Sequence, residues 1–359
     1  MSIGAAATRL LFALEPEQAH KLSLTALKTG LLPAAPPAPD PRLSVTVAGL
    51  RFPNPLGMAA GYDKDAEVPD ALLRLGFGFA EVGTITPLAQ AGNPRPRIFR
   101  LPGDSAVINR LGFNNGGHDA AYRQLSARRS TGIVGINIGA NKDSTDRIGD
   151  YAAGAKRFAR LASYLTVNIS SPNTPGLRNL QSRAALSELL SRVREARADS
   201  GAHPPIFLKI APDLDADEMT EIAQEVLAHE IEGLIVSNTT LSRDHVSGAQ
   251  AAESGGLSGK PLFARSTAVL ARMRRLVGPG LAIIGAGGVS TAEDALEKIR
   301  AGADLVQLYT GMIYGGPGLP ARIVRGLARY CTEHGVASIA LMRDQSVQRW
   351  AETPLSGAS

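Results

Sequence analysis

Eight short, almost wholly apolar runs recur along this chain. They lie at Leu56–Ala60, Phe79–Val82, Ile133–Ile136, Leu165–Ile169, Ile206–Ile210, Leu234–Val236, Leu281–Ile284 and Leu305–Leu308. A strand with one solvated face alternates apolar and polar residues. A continuous apolar run is what a strand buried on both faces needs, as in a parallel sheet covered by helices. The segments between the runs carry the apolar spacing of helices, as in Arg183–Ala198, Ala216–His229, Ala264–Leu276 and Thr291–Ala301. Eight strand–helix units predict an α/β fold, a (β/α)8 TIM barrel. A doubly wound open sheet uses the same alternation, and the strand ends separate the two.

In a barrel all eight strand ends meet at one rim, where active sites lie. Here every run is followed by, or ends in, polar residues or glycine: Gly61–Lys64, Gly83 and Thr84, Asn137, Asn168 with Ser171 and Asn173 after it, Lys209, Ser237–Thr240, Gly285–Gly288, and Tyr309 with Thr310. The richest stretch is Asn168–Arg178, a strand end running into an amide- and hydroxyl-rich loop. It holds no carboxylate, histidine or cysteine, so it is neither a metal site nor a common hydrolase triad. If this loop carries chemistry, a serine hydroxyl is the proton acceptor; the other reading of Ser171 is a turn cap before Pro172.

The asparagines Asn109, Asn137, Asn168, Asn173 and Asn238 all fall at or near this rim. Amides donate and accept without net charge, which suits a ring of alternating N–H and C=O groups such as a pyrimidine. Lys209 lies inside an apolar run and needs an anionic partner unless it snorkels to the rim. A phosphate or the N1–C2=O edge of a reduced flavin would serve. Lys64 is a second cation, placed for a substrate carboxylate unless Asp63 neutralises it. The glycine loops Gly285–Gly288 and Gly311–Gly318 follow strands seven and eight, where barrels bind phosphate through backbone N–H groups. Neither has the spacing of a dinucleotide fingerprint.

Ahead of the barrel, residues 1–33 read as two short helices divided at Glu15 and Pro16. Leu10, Leu11 and Leu14 stripe the first; Ala19, Leu22, Ala26 and Leu27 stripe the second, which stops at Gly30. Pro33, Pro36, Pro37, Pro39 and Pro41 then make a stiff linker over residues 34–42. The barrel is assigned to residues 43–335. Within it Asn109–Gly117 belongs to a long excursion over the site, and Asn93–Leu101, rich in proline, to an edge strand of a small sheet. Residues 336–359 read as a frayed helix or disordered tail of no assigned role.

Lys and Arg number 38 against 33 for Asp and Glu, a mild excess with no basic tract, so nucleic acid is not expected as a partner. A single cysteine, Cys331, excludes a disulfide within the chain and a cysteine-ligated iron–sulfur or zinc centre. The histidines show no metal-ligand spacing. No apolar run approaches the ~18 residues of a spanning helix, and no signal peptide stands out.

Ten segments in order then carry a resemblance: Asn54–Gly61, Gly83–Pro87, Asn93–Arg97, Asn109–Asn115, Asn137–Lys142, Asn168–Arg178, Lys209–Asp213, Asn238–Thr240, Gly255–Leu262 and Leu305–Thr310. The chain closely resembles the quinone-dependent (class 2) dihydroorotate dehydrogenases, from the N-terminal helices to about residue 335. The resemblance implies an FMN-containing barrel that oxidises dihydroorotate to orotate in pyrimidine synthesis. By position it implies FMN contacts from Ala60, Gly61, Lys64, Thr84, Asn137, Asn168, Lys209, Ser237, Gly259, Gly288, Tyr309 and Thr310. Substrate contacts are implied for Lys64, Asn109, Arg110, Leu111, Gly112, Phe113, Asn168, Asn173, Asn238 and Thr239. Ser171 falls on the catalytic base, where the soluble class uses cysteine. His20 and Arg100 fall on the quinone site, in a tunnel formed by the N-terminal helices resting on the membrane. The family resemblance further implies a peripheral protein on the cytoplasmic face of a bacterial membrane, no metal, and no obligatory iron–sulfur partner subunit.

Overall fold

The computed structural model describes residues 12–30, 36–174 and 176–355. Eight parallel strands close into a barrel: Leu56–Met58, Phe79–Ile85, Ile133–Ile138, Tyr164–Asn168, Ile206–Ile210, Gly233–Val236, Ala282–Ala286 and Leu305–Leu308. Each strand pairs with its predecessor and successor, and Leu305–Leu308 pairs back onto Leu56–Met58. Each of the eight apolar runs falls on one of these strands, as the TIM-barrel reading expects.

The barrel interior is packed by size matching. A Cβ on Gly57 would sit 2.3 Å from the Phe79 ring, one on Gly135 2.0 Å from Tyr164, and one on Gly233 2.3 Å from Phe207. Three aromatic side chains thus fill the space that three glycines on adjacent strands leave open. An antiparallel hairpin, Val45–Val47 with Leu50–Phe52, precedes the barrel and was not legible in the sequence. Its Phe52 ring meets Phe79, the first residue of the second barrel strand, edge to face at 5.1 Å and so closes the base.

Two excursions cover the opposite rim. Ile98–Leu101, Ala106–Asn109 and Gly256–Gly259 form a three-stranded antiparallel sheet with Ile98–Leu101 on its edge. That is the edge position expected for the segment, shortened to the residues after its last proline. The helix Pro16–Lys28 starts with Pro16 in its first turn, and the Glu15 carboxylate accepts from the N–H groups of Glu17 and Gln18. It is fastened to the rim by Glu17, which is 7% exposed. Arg97, 5% exposed, donates to both Glu17 oxygens at 2.8 and 3.1 Å, and Arg95 pairs with it at 2.8 Å. Leu10, Leu11, Pro33 and most of the first predicted helix lie outside the described residues, as do residues 356–359.

The C-terminal segment differs from the frayed tail expected. Ile339–Met342 forms a 3-10 turn and Val347–Ala351 a helix. Trp350 packs edge-on against Phe263 at 6.1 Å, and Arg272 donates to the carbonyls of Ala351 and Thr353. Its anchors are single residues and main-chain carbonyls, which leave no periodic pattern in the sequence.

Candidate active site

A cavity of about 450 Å³ opens at the C-terminal rim and extends beneath the helix Pro16–Lys28. Its walls include Ala60, Gly61, Lys64, Thr84, Asn168, Ser171, Asn173, Lys209, Ser237, Asn238, Thr239, Gly259, Gly288, Tyr309 and Thr310, together with Asn109, Leu111, Gly112, Phe113, His20 and Arg100. The barrel therefore gathers into one space nearly every residue singled out from the sequence. Two do not reach the wall. Asn137 lies just beneath it, joined to Thr84 by a 2.6 Å hydrogen bond. The Arg110 side chain turns to Glu253 at 2.7 Å and stacks over the Phe99 ring.

Two lysines, Lys64 and Lys209, line the cavity. Lys209 is buried, and its ammonium makes no hydrogen bond or ion pair among the described residues. Burial holds its pKa below the ordinary lysine value, against the opposing pull of the Glu81 carboxylate. Lys64 keeps some contact with the cavity solvent yet is surrounded by protein; burial lowers its pKa to about 8. Asp63 does not neutralise it. Asp63 is fully buried and accepts from the N–H groups of Glu67 and Val68 at 2.8 Å each, so it caps its own loop.

The loop after Asn168 presents Ser171 to the cavity at 5% exposure. Its Oγ accepts a long hydrogen bond, 3.3 Å, from the N–H of Asn173. Both readings of Ser171 are thus compatible with one geometry: the oxygen caps a turn and still faces the cavity. Arg178 steadies the loop by donating to the Ser170 carbonyl and to Asp213. The Asn173 amide donates to Asn109 Oδ1 at 3.5 Å, and Asn93 donates to the carbonyls of both Arg110 and Asn173. Asn93 thereby ties the excursion to the loop.

On the far wall, Gly288 has φ +79°, and a Cβ there would lie 2.5 Å from the Phe263 backbone. A Cβ at Gly311 would lie 2.3 Å from the Val289 carbonyl oxygen. Only glycine permits these two loops to meet, and the result is a backbone-lined recess beside Thr310, whose hydroxyl pairs with Ser258 at 2.8 Å. The recess, the two lysine cations Lys64 and Lys209 and a wall of amides fit a flat molecule that carries a phosphate and acceptor-rich ring edges.

Toward the helical cap the lining becomes apolar and aromatic, with Phe12, Ala19, Leu22, Ala26, Ile98 and Ile313 among it. His20 is edge-on to Tyr62 at 5.1 Å, and Tyr62 is edge-on to Tyr309 at 5.6 Å. Burial and the nearby Lys64 lower the His20 pKa to about 3, against a hydrogen bond to the Tyr62 backbone, so the imidazole is neutral at pH 7. Burial raises Tyr62 to about 12, and its hydroxyl pairs with Ser23 at 2.9 Å. Arg100 donates to the carbonyls of Phe12 and Leu14, so it also holds the chain entering the cap.

Sequence reasoning overlooked Glu81, Tyr164 and Gln307, which meet inside the barrel, as well as Ser23 and Tyr62. Glu81 had one legible signal: a carboxylate interrupting the apolar strand Phe79–Ile85, where burial demands a partner.

A family model described as dihydroorotate dehydrogenase matches residues 42–330. The chain is 68% identical over 350 residues to a dihydroorotate dehydrogenase (quinone) of Mesorhizobium japonicum, covering 97% of this chain and 98% of the relative. It is 64% identical to one of Brucella ovis, covering 97% of each. Among solved structures, the DHODH of Eimeria tenella in complex with ferulenol superposes with a TM-score of 0.88 at 39% identity, over 93% of this chain and 98% of that one. The ligand-free form of the same protein gives 0.88 at 40% identity, over 94% and 100%.

Proposed function

The chain belongs to the dihydroorotate dehydrogenase family, and we propose that the rim cavity is where it oxidises dihydroorotate to orotate with a quinone as the final electron acceptor. It is a flavin-dependent oxidoreductase of pyrimidine synthesis. The observation that carries the site assignment is the presence of two lysines, Lys64 and the buried Lys209, in one cavity with Ser171 and the asparagines.

FMN is the flavin we assign to the cavity. Gly288 and Thr310 line the recess for its phosphate, while Lys209, Asn168, Thr84, Ser237, Ala60, Gly61, Gly259 and Tyr309 surround the space for its ring, with Asn137 beneath. When bound, FMN supplies the acceptor for the hydride from substrate C6 and the conduit for two electrons to the quinone. The chain's own residues do the rest. Ser171 Oγ takes the proton from C5 while its own hydroxyl proton passes to water, and its orientation is set by Asn173 N–H and the Arg178-anchored loop. Lys64 pairs with the substrate carboxylate. Asn109, Asn173, Asn238 and Thr239 hold the pyrimidine ring, and Leu111, Gly112 and Phe113 close over it. Arg110 contributes through its backbone, since its side chain is occupied by Glu253. In the passage lined by His20 and Arg100 the quinone would receive two electrons and one proton from the reduced cofactor and a second proton from water, equal to the one released from C5.

Mixing the yellow protein anaerobically with dihydroorotate tests the reading: the flavin colour bleaches, a quinone restores it and NAD does not. Restoration by NAD alone would overturn the assignment of acceptor.

Two more results are expected. Lys64 loses its proton as pH rises through about 8, so its attraction for the orotate carboxylate is present below that value and fades above it. A charge-assisted hydrogen bond of about 1.5–3 kcal/mol corresponds to roughly tenfold to a hundredfold in affinity. Orotate titrations of the oxidised enzyme at a series of pH values should weaken on the alkaline side, and Lys64→Met should bind weakly throughout with a flat profile. An unaltered alkaline limb in Lys64→Met would assign the titration to another group.

No helix among the described residues is long and apolar enough to cross a membrane. Leu14 and Leu22 of the cap are exposed, 37% and 48%, which supports peripheral docking of the N-terminal unit on a membrane; the cytoplasmic face of a bacterial membrane is the one we assign to it. Deleting residues 1–33 should leave FMN bound and bleachable by dihydroorotate while lowering turnover with a membrane quinone. Full quinone turnover by the shortened protein would remove the tunnel from the mechanism.

A further inference from the structure

Glu81 is wholly buried within the barrel and does not itself line the cavity, although its hydrogen-bond partner Gln307 does. Three groups converge on its carboxylate: Asn137 Nδ2 at 2.8 Å, Gln307 Nε2 at 2.8 Å and the Tyr164 hydroxyl at 3.0 Å. A carboxylate accepts and does not donate, so both amides must turn their NH2 groups to it. We propose that Glu81 is a positioning residue that fixes the donor–acceptor direction of the whole hydrogen-bond chain lining the site, from Asn137 to Asn238.

The direction follows link by link. With its NH2 group committed to Glu81, Asn137 offers only its oxygen to Thr84, which donates to it at 2.6 Å. Thr84 has one hydroxyl proton, now spent, so its oxygen accepts from Asn168 Nδ2 at 2.9 Å. The Asn168 oxygen therefore faces the other way and accepts from the Ser170 hydroxyl at 2.9 Å. The Ser170 oxygen in turn accepts from Asn238 Nδ2 at 2.9 Å. That turns the Asn238 oxygen to the backbone N–H of Thr239 at 2.7 Å. Six residues from four strands and their following loops donate one way, toward the single group that cannot donate. Glu81 is the only side chain in this hydrogen-bond chain that cannot donate, and at the far end two backbone N–H groups agree with its sense, Thr239 on the Asn238 oxygen at 2.7 Å and Ser170 on the Asn168 oxygen at 3.4 Å. Asn168 thus keeps one N–H uncommitted in a cavity that already holds two cations, and the wall favours ligands that present acceptors: ring carbonyls and carboxylates.

This inference rests on the reading of the cavity as the flavin and orotate site. Glu81→Gln preserves shape but can donate, so Asn137 and Thr84 lose the group that holds their sense. Asn168, whose one backbone donor is the long 3.4 Å bond from Ser170 N–H, can then turn to present a carbonyl where it now presents N–H. Orotate binding to the oxidised holoenzyme, followed by the shift in flavin absorbance, should weaken by about tenfold or more. The second variant is the exchange Glu81→Gln with Gln307→Glu. Residues 81 and 307 lie 2.8 Å apart, so a carboxylate at 307 draws the NH2 of glutamine 81 and returns its oxygen to Asn137. The exchange should recover orotate affinity to within about threefold of the parent, which a role in packing alone does not predict. Parent-like affinity in the single variant overturns the proposal. So does an exchange variant that binds no better than the single one, or that fails to fold and hold flavin. If the single variant does not fold, the exchange alone decides by the same criterion. Bleaching of the parent protein by dihydroorotate tests the underlying reading separately; a parent that bleaches with an indifferent Glu81 sinks only this inference.

Discussion

Ser171→Ala should slow bleaching of the bound flavin by dihydroorotate by about 10²–10⁴-fold, the range expected when a positioned general base is lost. The variant should still bind FMN and orotate, because the hydroxyl accepts only one long hydrogen bond from Asn173 and its removal leaves a small gap. Stopped-flow reduction under anaerobic conditions separates the two readings of this residue. If Ser171 only caps the turn, reduction is unchanged and the melting temperature falls. If it is the base, the rate collapses and the fold is kept. Ser171→Cys offers a graded control, since a thiol carries the same proton-accepting function with a lower pKa. A variant that reduces at the parent rate would falsify the assignment.

The second large effect lies at the cap. Glu17→Ala leaves Arg97 buried without its carboxylate, and breaking a buried ion pair from one side costs about 3–5 kcal/mol. Helix Pro16–Lys28 has few other polar ties to the rim among the described residues: Lys28 to Glu67 at an exposed site, Ser23 to the Tyr62 hydroxyl and His20 to the Tyr62 backbone. We therefore expect the cap to detach before the barrel unfolds. Quinone turnover should fall well below the parent while flavin reduction by dihydroorotate is far less affected. Limited proteolysis within residues 12–30 should accelerate; equal losses in both half-reactions would mean that the pair supports the barrel and not the cap. Acid should mimic the substitution. Burial alone would raise the Glu17 pKa, but the Arg97 hydrogen bond and the charges of Arg97 and Arg95 hold it below the ordinary value of 4.5. The folded value being depressed, the pair stabilises the cap fully above about pH 4.5, and the contribution is lost as pH falls below it.

The same ion pair links the two ends of the cavity. Arg97 Nη1 also donates to the carbonyls of Ala91 and Asn93, and the Asn93 amide reaches the Asn173 carbonyl in the loop of Ser171. The cap and the proton-accepting loop are thus joined through one excursion.

Much of this architecture was legible in the chain itself. Continuous apolar runs alternating with helical spacing specify a barrel because burial on both faces is a local demand on each strand, met by local composition. Strand ends follow from strands, so Lys209, Asn168, Thr84 and Tyr309 could be placed on one rim without coordinates, and the family motifs then assigned them roles. Tertiary structure decided what depends on residues far apart in sequence. Asp63 proved to be a loop cap rather than the partner of Lys64, because the choice turns on which backbone N–H groups the loop brings to it. Arg110 turned to Glu253, and the C-terminal segment docked on Phe263 and Arg272, through pairings that have no period. Above all, the sense of the hydrogen bonds from Asn238 to Glu81 is invisible in a sequence. An asparagine is the same letter whichever way its amide points, and only the fold supplies the carboxylate at one end and the backbone N–H groups at the other that set one direction.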